Sequence, residues 1–236
     1  IIVEISFKYI MSNNFESWMI VFLQDKFRVR TFNRKNKVLT LNIFPAIDSI
    51  HQFDACEKLA LENNLCTKEY IDVCKQKPGK LGCNLSHQFL LKQILEESSK
   101  DWNLVLEDDV DISPSFLKDV NRKIGMAYLN GSRYIQLYTH PKFYEKQREQ
   151  HEVDPNMYNM VFQWGTCGYL IHKDAIRLFL GKFPLSENID IAYGKMISSW
   201  KSLCWLDNGI ITLGSLDNYD NKSELGSLIY NKDVNV

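Results

Sequence analysis

In Leu104-Val105-Leu106-Glu107-Asp108-Asp109, a continuous apolar run ends at three consecutive carboxylates. Continuous apolar runs are typical of strands that are buried on both faces within a parallel sheet. In open α/β sheets, ligands collect in the crevice beyond the carboxyl ends of such strands. The stretch therefore predicts a buried strand with an acidic site at its end.

The segments on either side of this strand predict helices. Upstream, the apolar stripe of an amphipathic helix is formed by Cys83, His87, Leu90, Leu91, Ile94 and Leu95. Downstream, Ser113-Pro114 offers a capping residue with proline at the first helical position, which predicts a helix through Met126. Further strands are predicted at 18–23, 38–44, 133–137 and 161–170, and further helices at 173–180 and 189–200. This order predicts an α/β fold with one domain, in which helices flank a central, mostly parallel sheet.

The segment 140–159 is charged and aromatic and has no periodicity. Long segments without their own structure are usually functional lids or mobile loops. We therefore expect a long loop here that acts as a flap at one side of the site.

Composition narrows the class of protein. The 236 residues are 45% hydrophobic and 24% charged, which is ordinary for a soluble globular protein, and the net charge of -1 argues against a nucleic-acid binder. The apolar start, residues 1–10, is interrupted by Glu4 and Lys8, so no transmembrane segment or secretory signal is predicted. These features predict a soluble, cytoplasmic protein. A disulfide among Cys56, Cys66 and Cys74 stays open, because such bridges follow the cellular compartment.

The acidic run carries the candidate chemistry. Neighbouring carboxylates repel each other by roughly 1 kcal/mol or more at intermediate dielectric, and a divalent cation would remove that conflict. Hard cations such as Mn²⁺ or Mg²⁺ prefer carboxylate and phosphate oxygens, which suits a diphosphate leaving group. The alternative, which the run alone leaves open, is a solvated acidic turn.

Several motifs occur in a family order. The segment Gly79-Lys80-Leu81-Gly82-Cys83-Asn84-Leu85-Ser86-His87, followed by Glu107-Asp108-Asp109, resembles family 25 of the glycosyltransferases, the lipopolysaccharide and collagen glycosyltransferase group. Phe44-Pro45-Ala46-Ile47-Asp48 is similar to the early Ala-Val-Asp turn of that family. The segment from Gly165-Thr166 to Ile171 is similar to its Gly-Thr-x-x-Tyr-Leu segment, and Asn188-Ile189-Asp190 stands where the family has Pro-(Val/Ile)-Asp.

The resemblance spans residues 18–225 and implies a GT-A (Rossmann-like) domain there, with residues 1–17 as an extension and 226–236 as a tail. It implies a UDP-sugar donor (UDP-Gal, UDP-Glc or UDP-GlcNAc) and a hydroxyl acceptor in a glycan or protein. It also implies that Glu107 and Asp109 hold Mn²⁺ or Mg²⁺, with Asp108 near the donor ribose or sugar. The implied nucleotide-sugar pocket is completed by Pro45, Ala46, Ile47, Asp48, Gly79, Ser86, His87, Gly165 and Thr166. For His87 the alternative is a satisfied core histidine.

The outcome that the resemblance implies is inversion, in which an acceptor hydroxyl displaces UDP in a single step and needs a base. Our candidate for this base is Asp190, with Asp207 in reserve; the alternative for Asp190 is a carboxylate that interacts with a helix dipole. A second hypothesis is a GT-A-like protein that binds UDP-sugar or glycan without turnover. It is favoured by two departures from the family pattern: 21–26 lacks the usual asparagine, and no histidine follows His172.

Overall fold

The computed structural model describes residues 14–35, 39–113, 115–140, 143–162, 165–206 and 211–213. Within these residues the strands are β1 (Phe15–Val21), β2 (Asn42–Pro45), β3 (Trp102–Glu107), β4 (Val110–Ile112), β5 (Tyr134–Gln136), β6 (Glu152–Asp154), β7 (Met157–Asn159), β8 (Gly168–His172), β9 (Leu203–Trp205) and β10 (Ile211–Leu213). The helices are α1 (Lys26–Lys35), α2 (Phe53–Glu62), α3 (Lys68–Cys74), α4 (Gly79–Glu97), α5 (Phe116–Leu129), α6 (Tyr144–Arg148), α7 (Lys173–Leu180), α8 (Ile189–Gly194) and α9 (Ile197–Trp200). The predicted α/β class is therefore confirmed.

The main sheet has the strand order β2-β1-β3-β8-β5-β9-β7-β6. β1 pairs in parallel with β2 and β3, and β5 pairs in parallel with β9. In contrast, β8 lies antiparallel between β3 and β5, and β7 lies antiparallel between β9 and β6. The sheet is mixed, so the prediction of a mostly parallel sheet is wrong. An apolar run reports burial on both faces, but it does not report the direction of the neighbouring strand.

The apolar run in β3 is buried on both faces as predicted. Leu104 and Leu106 pack in one core cluster, together with Phe116 of α5. Val105 points to the opposite face and packs in a second cluster with Leu90 of α4. Because successive side chains of a strand alternate between faces, the continuous apolar run follows from helices that cover both sides of β3.

Helix α4 is buried along most of its length. It begins at Gly79, directly after Pro78, and its C-terminal half buries the apolar side chains Leu90, Leu91 and Ile94. Its N-terminal half buries Leu81 and Leu85 and also several polar side chains: Asn84, Ser86, His87 and Gln88. Buried polar groups require hydrogen-bond partners. This half of the helix therefore organises the surrounding loops, as described below.

Several element boundaries differ from those predicted. Helix α5 begins at Phe116 with Ser115 at the capping position instead of Ser113, and Pro114 lies outside the described residues. The helix predicted at 189–200 is divided into α8 and α9, and the strand predicted at 161–170 is reduced to β8.

The predicted domain is flanked by an extension, 1–17, and a tail, 226–236. β1 begins at Phe15, so the last residues of the predicted extension 1–17 lie in the sheet. The predicted tail 226–236 lies outside the described residues.

All six cysteines are free. Among the described residues, no helix combines the length and apolarity that crossing a membrane requires.

The segment 140–159 is not the long loop that was predicted. Its described part folds into α6 and the hairpin of β6 and β7, and β7 pairs with β9 of the main sheet. The side chain of Gln147 is fully buried, donates a 2.9 Å hydrogen bond to the carbonyl of Phe162 and accepts one from the N–H of Val161 at 3.2 Å. Elements of three to five residues are too short to produce a periodic pattern, which explains the wrong prediction.

A buried ion pair joins this hairpin to α5. The Lys123 ammonium is 1% exposed, lies 2.7 Å from Asp154 Oδ2 and 5.0 Å from the ring centroid of Trp205, and also donates to the carbonyl of Pro155. Burial lowers the pKa of Lys123, whereas Asp154 opposes that shift. Arg122 of α5 also pairs with Asp154, so two cations of α5 hold the hairpin through one carboxylate.

Replacing Asp154 with alanine is expected to lower the free energy of unfolding by about 3–5 kcal/mol, because it leaves the buried Lys123 charge without its partner. The matched control is Asp119→Ala on the exposed face of α5, where the carboxylate lies 3.6 Å from Arg122. An exposed pair of this kind contributes about 0–1 kcal/mol. Urea unfolding measures both variants, and equal losses would contradict this account of the hairpin.

Candidate active site

A cleft opens at the carboxyl ends of the parallel strands β2, β1 and β3. Its walls are formed by the end of β1, the turn after β2, the first turns of α4 and the acidic end of β3. Predicted site residues that line it are Ala46, Ile47, Asp48, Gly79, Ser86, His87, Glu107, Asp108 and Asp109. The structure thus brings most of the predicted residues to one place, although they come from distant parts of the sequence.

The turn after β2 is shaped by its own carboxylate. The N–H of Ala46 donates to the carbonyl of Val21 at 2.8 Å, which ties the turn, immediately after Pro45, to β1. Asp48 Oδ1 accepts the N–H groups of Ile50 and His51, both at 3.1 Å, and Asp48 Oδ2 lies 2.8 Å from His51 Nδ1. Asp48 is therefore occupied in forming the turn, and the residues of the turn line the cleft.

Helix α4 holds this turn through two serines. Ser86 Oγ accepts the N–H of Ile47 at 2.9 Å and donates to the carbonyl of Gly82 at 2.7 Å. Ser49 Oγ donates to the carbonyl of Pro78 at 2.6 Å and accepts the N–H of Gly82 at 2.8 Å. Both hydroxyls thus bond turn and helix at once, and this requires a very close approach of the two backbones.

The close approach explains why position 82 is glycine. A Cβ atom there would lie 2.5 Å from the carbonyl oxygen of Ile47 and 2.5 Å from Ser49 Oγ. We expect Gly82→Ala to push the turn away from α4, to destabilise the protein by about 1–3 kcal/mol and to weaken binding of any ligand in the cleft.

The control for this variant is Gly125→Ala, because a Cβ atom at that exposed position of α5 would meet nothing within 4 Å. Alanine within a helix is favoured over glycine by about 1 kcal/mol. Thermal unfolding and ligand titration compare the two variants. Intact ligand binding by Gly82→Ala would show that the turn does not depend on this contact.

Glu107, predicted to bind metal, is held from the protein side. His87 Nε2 lies 3.2 Å from Glu107 Oε1, and Thr166 Oγ1 donates to the same oxygen at 2.7 Å. Burial raises the pKa of Glu107, but the hydrogen bonds from His87 and Thr166 and the charge of Arg28 outweigh it and hold the pKa below its ordinary value. Glu107 is therefore an ionised carboxylate whose described side-chain hydrogen bonds go to one oxygen.

Asp108 is turned toward the protein interior and is 3% exposed. Its Oδ2 accepts the N–H of Phe22 at 2.8 Å, and its Oδ1 forms an ion pair with Arg28 of α1. Burial raises the pKa of Asp108, opposed chiefly by the Arg28 charge. The ion pair fixes the end of β3 against α1, and the predicted contact of Asp108 with the donor remains a prediction.

Arg28 is a site residue that the sequence did not indicate, because it belongs to a basic stretch that resembles solvated helix surface. It is 7% exposed and lines the cleft. Burial lowers the pKa of its guanidinium, but Asp108, Asp109 and Asp25 raise it further, so the net shift is upward. A permanent positive charge therefore lies among the carboxylates. The one available signal was the apolar spacing of its neighbours in α1, and that signal is weak.

Glu107 and Asp109 could hold a divalent cation. Both are partly exposed and line the cleft, and carboxylate oxygens are the ligands that hard cations prefer. Ligand atoms of Cys83, His87 and Glu107 also lie within 4.8 Å of one another. Burial, followed by the charge of Glu107, raises the pKa of Cys83 well above its ordinary value. Hard cations such as Mn²⁺ and Mg²⁺ prefer carboxylate oxygens to thiols, so this donor set favours the carboxylates.

Asp190 and Gly165 are joined by a hydrogen bond. Asp190, in the first turn of α8, accepts the N–H of Ile191 on Oδ1 at 2.9 Å and the N–H of Gly165 on Oδ2 at 3.4 Å. The backbone φ of Gly165 is 73°, a left-handed value that favours glycine. The reserve candidate Asp207 lies outside the described residues.

The segment that carries Asp190 is attached to α4 by Asn84, a second residue that the sequence did not single out. Asn84 is 1% exposed. Its amide donates to the carbonyl of Glu187 at 2.9 Å and accepts the N–H of Ile189 at 2.8 Å. One stretch of α4 therefore contacts the turn after β2 through Ser86, the acidic strand end through His87 and the start of α8 through Asn84.

Two solved structures match the chain at low identity and with low TM-scores. One is described as A197 from STIV, with 13% identity, a TM-score of 0.39 and coverage of 80% of this chain and 81% of that chain. The other is described as a glycosyltransferase involved in the glycosylation of the major capsid of PBCV-1, with 12% identity, a TM-score of 0.31 and coverage of 70% and 62%. No curated protein matches the chain.

A family model matches a large part of the chain. The model described as glycosyltransferase family 25 (LPS biosynthesis protein) matches residues 30–193, which is well over half of the chain. The matched range contains the turn after β2, the N-terminal half of α4, the acidic end of β3 and Asp190. The chain therefore belongs to glycosyltransferase family 25.

Proposed function

We propose that this glycosyltransferase is a GT-A-type, metal-dependent enzyme that moves a hexose or N-acetylhexosamine from a UDP-sugar to a hydroxyl acceptor with inversion. The observation that carries the proposal is the single cleft in which the turn after β2, the start of α4 and the carboxylates of β3 meet. A nucleotide diphosphate needs a backbone-lined pocket for its base and ribose and a cation for its phosphates. The cleft offers residues for both needs.

The donor nucleotide would lie along the turn after β2. Pro45, Ala46, Ile47 and Asp48 would border the uridine. This turn is rigid, because Asp48 and Ser86 bind its backbone N–H groups. Rigid positioning lowers the entropic cost of binding. Gly79 and His87 at the start of α4 and Gly165-Thr166 on the far side would complete the pocket.

Glu107 and Asp109 would hold Mn²⁺ or Mg²⁺ next to the diphosphate. When bound, such a cation acts as a Lewis acid that stabilises the negative charge of departing UDP. Thr166 and His87 fix Glu107 from behind through Oε1, which leaves the carboxylate oriented toward the cleft. Arg28 balances part of the negative charge of the acidic run through Asp108.

Asp190 would act as the general base. It would accept the proton of the acceptor hydroxyl as the hydroxyl oxygen attacks the anomeric carbon and the bond to UDP breaks. Its Oδ2 is oriented by the N–H of Gly165, and its helix is held to α4 by Asn84. A base that is positioned by two neighbouring segments suits a single displacement.

The test is a transfer assay that measures UDP release from UDP-Gal, UDP-Glc and UDP-GlcNAc with a mixture of glycan and hydroxylated-peptide acceptors, in the presence and absence of Mn²⁺. We expect UDP release that requires both acceptor and cation. Tight binding of UDP-sugar without release, across all acceptors, would instead support a protein that binds the donor without turnover.

A further inference from the structure

A chain of four hydrogen-bonded side chains runs from the cleft into the core. Glu107 Oε1 lies 3.2 Å from His87 Nε2, and His87 Nδ1 lies 2.9 Å from the hydroxyl of Tyr169. The Tyr169 hydroxyl lies 3.1 Å from the hydroxyl of Tyr193. His87 is 1% exposed and both tyrosines are fully buried, so these groups depend on one another for hydrogen bonding.

The chemistry of the four groups orders their protons. An ionised carboxylate only accepts hydrogen bonds, so His87 Nε2 must donate to Glu107. In a neutral imidazole Nδ1 then accepts, and its donor is the Tyr169 hydroxyl. Tyr169 in turn accepts from Tyr193. Burial raises the pKa of both tyrosines above the ordinary value, so both hydroxyls keep their protons.

The hydrogen-bond chain connects the two halves of the proposed active site. Glu107 ends β3, His87 lies in α4 and Tyr169 lies in β8. Tyr193 lies in α8, the short helix whose first turn contains Asp190. A shift at either end of the hydrogen-bond chain would break a hydrogen bond of a fully buried side chain, either His87 or Tyr193, which is costly.

We propose that His87, Tyr169 and Tyr193 are positioning residues that fix the orientation of Glu107 and tie it to the helix carrying Asp190. His87 thereby acts on the carboxylate through its hydrogen bond to Glu107. The inference rests on the proposed function for its effect on turnover, whereas the hydrogen-bond chain itself is testable without substrate. Groups behind a metal ligand commonly change metal affinity or activity by about 10- to 100-fold when they are removed.

The first experiment tests the hydrogen-bond chain in protein that contains no metal or substrate. Nitrogen-15 NMR reports which imidazole nitrogen carries the proton, and His87→Ala identifies the His87 signals among the five histidines. We expect the His87 proton to be fixed on Nε2 in the wild-type protein. Tyr169→Phe should leave it there, because Glu107 still accepts it, but should shift the Nδ1 resonance, because Nδ1 loses its hydrogen bond. A wild-type His87 that exchanges between tautomers like the exposed His151 would overturn the proposal.

The matched control is Tyr134→Phe. Tyr134 is as buried as Tyr169, stacks on it at a centroid distance of 5.4 Å and donates its hydroxyl to Gln136 Oε1 at 2.5 Å instead of to His87. Removing this hydroxyl should leave the His87 Nδ1 resonance unchanged. The same shift of the Nδ1 resonance in both variants would mean that core packing, and not the hydrogen-bond chain, determines the environment of His87.

The second experiment measures Mn²⁺ affinity by electron paramagnetic resonance and turnover by UDP release. We expect Tyr169→Phe to weaken Mn²⁺ binding and to lower kcat by up to about 10-fold, and His87→Ala by about 10- to 100-fold, with Tyr134→Phe near wild type. Because Tyr169 acts through His87, adding Tyr169→Phe to His87→Ala should cost little more. If the effects of the two substitutions on Mn²⁺ affinity and kcat were fully additive, Tyr169 would not act through His87.

The two proposals fail in different ways. If wild-type protein releases no UDP with any donor or acceptor, the proposed function is wrong. The NMR result still decides whether the hydrogen-bond chain exists. If wild type is active and Tyr169→Phe matches Tyr134→Phe in every measurement, the positioning chain is wrong and the proposed function stands.

Discussion

Replacing Asp109 with alanine is expected to abolish the Mn²⁺-dependent part of UDP-sugar binding. Asp109 and Glu107 are the partly exposed carboxylates at the end of β3, whereas Asp108 is buried against Arg28. Removing Asp109 takes away one of the two proposed protein ligands, and Mg²⁺ or Mn²⁺ sites in such enzymes have few others besides substrate phosphates. Calorimetric titration of UDP with and without Mn²⁺ measures the effect.

The control for Asp109 is Asp111→Ala. Asp111 lies in β4, has a side chain that is 38% exposed and pairs with Arg34 at 3.6 Å. It reports the loss of a nearby negative charge without the loss of a proposed ligand. If the Asp109 variant still binds UDP more tightly in Mn²⁺ than without it, Asp109 does not hold the cation.

Replacing Asp190 with asparagine is expected to lower kcat by about 10²- to 10⁴-fold, the usual contribution of a positioned general base. Asparagine keeps the size of the side chain and can still accept the N–H of Gly165, so the affinity for the donor should be unchanged. The measurement is a steady-state comparison of kcat and of the donor dissociation constant.

The alternative for Asp190 is an ordinary carboxylate at a helix N-terminus. Such a group contributes about 0.3–1 kcal/mol to stability and nothing to turnover. Asp174→Asn is the control, because Asp174 occupies the first turn of α7 and is 49% exposed. A wild-type kcat for Asp190→Asn, with a small loss of stability like that of Asp174→Asn, would identify Asp190 as a structural residue.

The central strand and its acidic end could be predicted from the sequence because burial leaves a direct trace there. Leu104, Val105 and Leu106 had to be apolar because helices cover both faces of β3. The motifs of α4 and of the turn after β2 were also visible, and their contact through Gly82 and Ser86 explains why small residues occur there. Here local pattern and tertiary structure agree.

Other features could not be predicted because they depend on contacts between distant residues. Arg28 resembles its solvated basic neighbours until α1 brings it to Asp108, and Asn84 has no distinguishing pattern until α8 packs on α4. The antiparallel position of β8 likewise depends on chain direction, which side-chain burial does not encode. His87 was left open between pocket and core; it lines the cleft and is buried with both ring nitrogens hydrogen-bonded, and its contact with a nucleotide remains a prediction.

The most direct test of the account is a crystal structure of the protein with UDP and Mn²⁺, in which anomalous scattering locates the manganese. The account predicts one manganese peak bound by carboxylate oxygens of Glu107 and Asp109 and by the diphosphate, with the uridine against the turn at 45–48. A manganese ion bound elsewhere, or a nucleotide outside this cleft, would contradict it.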